Sequence, residues 1–111
     1  MTDVFQEVLS TPQIKRWQHV GIECAVHRGF TLNGYCLIPE DHPLADKQVE
    51  EIGDFYVHGG ITLQRGRVIG FDTNHYGDSW PGSPFPGHIW LLDEVVEETN
   101  RLAEQIAQVP A

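Results

Sequence analysis

The chain has 111 residues, a formal net charge of -9 and 41% apolar residues, which fits one domain with a real core and excludes a disordered tail. No apolar run approaches the roughly 20 residues of a membrane span. The excess of acid argues against direct nucleic-acid binding, since phosphate recognition wants a basic patch.

The first stretch, MTDVFQEVLS, has an acidic residue and no basic leader region, so a cytoplasmic protein is expected. Residues 3 to 9 predict a short amphipathic helix capped by Thr2 or Asp3. Thr11-Pro12 predicts a second helical turn, with Pro12 in its first position and Trp17 at its end.

HVGIECAVHRGFTLNGYCLIP then alternates with period two. Val20, Ile22, Cys24 and Val26 alternate along one strand and Phe30, Leu32, Cys36 and Ile38 along the next, all on one apolar face. Taking His27-Arg28-Gly29 as a three-residue connector pairs Val26 with Phe30, Cys24 with Leu32, Ile22 with Gly34 and Val20 with Cys36. In that register the two cysteines lie four pairs apart, about 13 Å, too far for a disulfide. They read as buried thiols of a reducing compartment, and no zinc-type cysteine spacing occurs. PEDHPLADKQVEEIGD is a surface connection broken by Pro39 and Pro43, with a short helix expected over 44–52.

A second hairpin is expected in YVHGGITLQRGRVIGFD. A loop at Gln64, Arg65 and Gly66, with Gly66 left-handed, pairs Leu63 with Arg67, Ile61 with Ile69 and Gly59 with Phe71. The other face then sets Thr62 against Val68, Gly60 against Gly70 and His58 against Asp72. Two facing glycines beside a His/Asp pair suggest a place where a ligand meets bare backbone.

The loop SWPGSPFPGH, rich in Pro and Gly and carrying Trp80 and Phe85, is predicted irregular and shaped to cover something as a lid. The last element is a helix: Leu92, Val95, Val96, Thr99, Leu102, Ala103 and Ile106 form one apolar stripe at helical spacing. The expected fold is α+β and two-layered, an antiparallel sheet of about four strands in two hairpins, covered by the C-terminal helix. The acidic residues Asp93, Glu94, Glu97, Glu98 and Glu104 read as a solvated face, or else as an interface for a basic host protein or a mimic of nucleic acid.

Candidate chemistry gathers between Tyr56 and Gly82. His58, Asp72, His75 and Asp78 supply two imidazoles and two carboxylates, a set able to hold a divalent transition metal with an open position for water. The plainer reading has Asp72 capping a turn and His75 packing under the loop. As a ligand site the same stretch offers His58, Gly59, Gly60, Asp72, His75 and Asp78, with Tyr56, Trp80 or Phe85 stacking on a base. No Ser or Cys nucleophile motif occurs: GDSWPG is not GxSxG, and GGITLQRG lacks the GK[ST] of a phosphate loop. No catalytic residue is assigned. His19, His27, His42 and His88 read as surface or turn residues.

The strings VHGGIT (57–62), GFD (70–72) and His75-x-x-Asp78, with Gly34-Tyr35, His42-Pro43 and LAEQ (102–105), resemble a set of small proteins encoded by tailed phages and actinobacterial prophages. This chain carries Thr73-Asn74 where that set carries a Cys-Ala pair. The resemblance implies a phage context and a site, without a reaction. The function expected is therefore binding of a small polar ligand, such as a nucleotide or nucleotide-derived signal, to counter host defence. The alternatives are a metal-dependent hydrolase and an acidic inhibitor of a host protein; a homodimer completing the pocket is also compatible.

Overall fold

The computed structural model describes residues 3–48, 51, 55–74, 77–80, 82–84 and 86–110. Helix α1 (Val4–Val8) starts at Asp3, whose Oδ1 accepts the Phe5 N–H at 2.8 Å, and it buries Phe5 completely. This is the short helix that the sequence predicts, with Asp3 as its cap.

The helical turn expected from Pro12 to Trp17 does not form. Strand β1 (Gln13–His19) runs there and pairs antiparallel with β2 (Ile22–Arg28), setting Trp17 opposite Cys24 and His19 opposite Ile22. Pro12 is compatible with either start, and the long ladder on β2 overrides the local preference. The connecting turn puts Val20 at φ 48° and Gly21 at φ 79°. Positive φ at both central residues is the signature of a type I′ turn, whose twist suits a two-residue hairpin. Glycine takes that conformation without cost, and a β-branched valine does not.

Strand β3 (Leu32–Leu37) pairs with β2 as Cys24 with Cys36, Val26 with Gly34 and Arg28 with Leu32. The connector is therefore Gly29-Phe30-Thr31 and not His27-Arg28-Gly29. The ladder has slipped by an even number of residues, so Ile22, Cys24, Val26, Leu32, Cys36 and Ile38 still face one core. What changes is their neighbours. The two cysteines expected about 13 Å apart face each other with Sγ atoms 3.8 Å apart, as buried free thiols. Burial, reinforced by Cys24, holds the Cys36 thiol well above its ordinary pKa.

Strands β4 (Leu63–Arg65) and β5 (Val68–Phe71) complete a five-stranded antiparallel sheet of order β1-β2-β3-β5-β4. The second hairpin also departs from expectation. A two-residue turn at Gly66-Arg67 pairs Arg65 with Val68, Gln64 with Ile69 and Leu63 with Gly70. The shift is odd, so Leu63 moves to the opposite face of the sheet from Ile69 and Phe71. Of the short helix expected over 44–52, the first part makes successive turns, with Ala45 N donating to His42 O and Lys47 N to Leu44 O; Glu51 is helical, and residues 49, 50 and 52 lie outside the described residues.

Helix α2 (Leu92–Gln108) lies on the main core face and buries Val95, Thr99, Leu102, Ala103 and Ile106, the stripe read from the sequence. Gly34 is what lets it approach: a Cβ there would collide with Thr99 Oγ1 and the Phe71 ring. The other sheet face carries a smaller core of Phe5, Leu9, Ala25, Tyr35 and Val68, closed by α1. Two further short strands, β6 (Asp78–Ser79) and β7 (His88–Ile89), pair in parallel, so the ends of the loop predicted irregular are in fact joined. Among the described residues no helix is long and apolar enough to cross a membrane.

Candidate functional site

The β6–β7 pairing carries Asp78 and Ser79 alongside His88 and Ile89, close to the start of α2. The side chain of Asp78 is only 2% exposed. A carboxylate taken out of water needs partners, and Asp78 has them on both oxygens. Oδ1 accepts the Trp90 indole N–H at 2.9 Å, and Oδ2 lies 2.6 Å from His58 Nε2. The His58 ring sits 4.5 Å from the Trp90 ring, and His88 meets Trp90 edge-on at 5.2 Å. Asp78 thus holds an imidazole and an indole side by side.

Local backbone chemistry explains the glycines next to His58. Gly60 N donates to Val57 O at 2.9 Å, closing a turn in which Gly59 has φ 70° and Gly60 has φ 78°. These are left-handed positions, where a Cβ is penalised. The expected Gly60–Gly70 pair is absent: Gly70 pairs with Leu63 and Tyr35, and the Tyr35 ring covers it. Its glycine identity accommodates that ring, leaving no bare backbone for a ligand.

The expected cross-strand pair of His58 and Asp72 is likewise corrected. His58 lies in the turn, outside the ladder, and its carboxylate neighbour is Asp78. Asp72 Oδ1 accepts the Asn74 N–H at 3.1 Å, the turn-capping role that the plainer reading gave it. His75 and Phe85 lie outside the described residues. Among the described residues no group of three His, Cys, Asp or Glu side chains is gathered as a metal would need.

Beside the Asp78 cluster opens a groove of about 230 Å³, lined by Arg28, Phe30, Thr31, Trp80 and Trp90 among others. Phe30 is 68% exposed and meets the Trp80 ring edge-on at 4.9 Å. Thr73, buried, donates its hydroxyl to Leu32 O at 2.8 Å and fixes one wall. Trp80, expected to stack on a ligand, lines this groove; Tyr56, with the same expected role, is 80% exposed and is not among the lining residues. Its backbone is instead clasped by Gln105, which accepts from Tyr56 N at 2.7 Å and donates to Tyr56 O at 3.0 Å.

Sequence reasoning missed Arg28, Phe30 and Trp90. The misplaced connector put Phe30 in a strand facing the core, whereas Gly29-Phe30-Thr31 forms the bend and points Phe30 outward. A signal for Trp90 was present: an aromatic directly between a Pro/Gly loop and a helix start.

The remaining polar residues are more engaged than surface positions imply. His27 is fully buried in β2, with Nδ1 2.9 Å from Thr11 O, Nε2 3.1 Å from Gln13 Oε1 and the Tyr35 ring edge-on. Burial pushes its pKa below the ordinary value, against the partial compensation of the Thr11 carbonyl. His42 accepts from Leu44 N through Nδ1 and reaches Ile106 O through Nε2 at 2.8 Å, satisfying a carbonyl near the end of α2. Three of the five acids on α2 are tied internally. Glu94 meets Leu91 N and His88, Glu98 accepts the His58 N–H at 2.7 Å, and Glu104 meets His19 at 2.7 Å. They fasten loops and β1 to the helix, so the acidic face is less available to a partner than its charge suggests.

Comparison with protein-family models, with curated proteins and with solved structures finds no match to this chain.

Proposed function

We propose that the protein binds a small ligand through a flat ring, held among Phe30, Trp80 and Trp90. The observation that carries this reading is a groove with three aromatic walls in which one, Trp90, is anchored by a buried carboxylate. Such anchoring sets the ring before a ligand arrives, which lowers the entropy cost of binding. Stacking on an aromatic side chain contributes about 1–3 kcal/mol per base. The ring that the sequence suggests is a nucleobase. In that role the protein withholds a nucleotide or nucleotide-derived signal from a host cell, a context drawn from the phage-like VHGGIT and GFD strings. The Asp78 carboxylate acts here as a positioning group, since His58 and Trp90 engage both its oxygens.

The test is calorimetric titration with adenosine, guanosine and indole, together with mass spectrometry of small molecules that co-purify. Saturable binding of at least one ring compound, lost in Trp80→Ala, is expected. Absence of binding by every ring compound at millimolar concentration would overturn the reading.

A further inference from the structure

We infer that the ring-binding groove selects a ligand carrying a negative group, read by Arg28 at its mouth; this rests on the ring-site reading above. Arg28 ends β2 and lines the groove together with Phe30 and Trp80. The other arginines are engaged. Arg16 bridges Asp3 and Glu23, Arg67 meets Glu40 and the Ile38 carbonyl, Arg101 meets Glu98, and Arg65 donates to the Gln64 carbonyl. The Arg28 guanidinium has no carboxylate or carbonyl partner among the described residues.

In a chain of net charge -9, acids are in excess, and several are spent on histidines. A guanidinium left unmatched at an aromatic groove is then complementary to an anion brought by the ligand. Its planar fork suits a carboxylate or a phosphate equally.

Size narrows the class further. Pockets for drug-sized ligands enclose about 300–1,000 Å³, and this groove encloses about 230 Å³. It accommodates one ring system, with the charged group left at the opening beside the exposed Arg28. The ligand class is therefore a single aromatic ring system bearing one acidic group.

The experiment compares neutral and anionic members of two pairs by calorimetry at low salt: adenosine with adenosine monophosphate, and indole with indole-3-carboxylate. The anionic member should bind about tenfold tighter or more in at least one pair, the gain usual for a charge-assisted hydrogen bond. A preference confined to the first pair identifies phosphate as the anion, and one confined to the second identifies carboxylate. Arg28→Gln should erase the preference for the anionic member, and added salt should weaken the anionic member only. Arg28 is exposed at a strand end, so the variant should fold, as an unchanged melting temperature would show. Equal affinity of neutral and anionic rings overturns the inference while leaving the ring site standing. A preference that persists in Arg28→Gln overturns it too. Absence of binding by all four compounds removes the ring site and this inference with it.

Discussion

Asp78 braces Trp90. The carboxylate accepts the indole N–H at 2.9 Å through one oxygen and meets His58 Nε2 at 2.6 Å through the other, although it lies 20 residues from His58 and 12 from Trp90. Removing it should be costly for two reasons at once. Asp78→Ala removes the acceptor of the indole N–H and breaks the contact with His58 Nε2, and loss of a buried acceptor of this kind costs about 1–3 kcal/mol. Asp78→Asn keeps a carbonyl for Trp90 and should cost less. Urea denaturation of the two variants checks the order; an alanine variant as stable as the parent would show that the pair is incidental.

Glycine positions separate by mechanism. Gly34→Ala drives a methyl into Thr99 and Phe71, and Gly70→Ala drives one into the Tyr35 ring and the Gly34 carbonyl. Overpacking of this kind costs about 1–3 kcal/mol or more. Gly60→Ala meets nothing within 4 Å and is strained only by its φ of 78°, a penalty of about 1–2 kcal/mol. Valine at position 70, which the mistaken register would place on a pocket floor, should unfold the protein. Circular dichroism melts of the alanine series should show the first two variants well below the third.

Val20 occupies a left-handed position in the β1–β2 turn and is more than half exposed. Asparagine tolerates that conformation, and Asn-Gly is the preferred type I′ pair. Val20→Asn should therefore raise stability by about 1 kcal/mol, seen as a higher urea midpoint with an unchanged slope. A lower midpoint would mean that packing by the valine outweighs its strain.

The buried His27 gives stability a pH dependence. Its folded pKa lies below the ordinary value of 6.5, so the unfolded chain takes up the proton first as pH falls. The contribution of the neutral imidazole is present above about pH 6.5 and is lost as pH falls toward the folded pKa. His27→Gln retains an amide able to donate to Thr11 O and removes the titration. Between pH 7 and 5.5 the melting temperature of the parent should fall more than that of the variant; parallel profiles would remove His27 as the cause.

Sequence by itself determined the elements whose signal is local or periodic. The stripe from Val95 to Ile106 could only be a helix with one buried face, and Asp3 before Val4–Val8 was a readable cap. The α+β class followed from these and from two stretches of alternating residues. Alternation, however, assigns residues to faces only modulo two. In the first hairpin the true register differs by an even step, so the core face was right while Cys24 and Cys36 were misplaced relative to each other. In the second the step was odd, and Leu63 changed sides. Turn geometry decides such shifts, and the free-energy differences between neighbouring turns are too small for composition to reveal. Only the tertiary structure brought β6 beside β7, and through that contact gave His58 the carboxylate of Asp78 in place of Asp72. The same packing turned Phe30 outward, drew Trp90 into the groove, buried His27 and set the edge strand Gln13–His19 where a helical turn ending at Trp17 is expected. Each of these depends on partners distant in the chain, because a polar side chain is satisfied by whatever the fold places within about 3 Å of it.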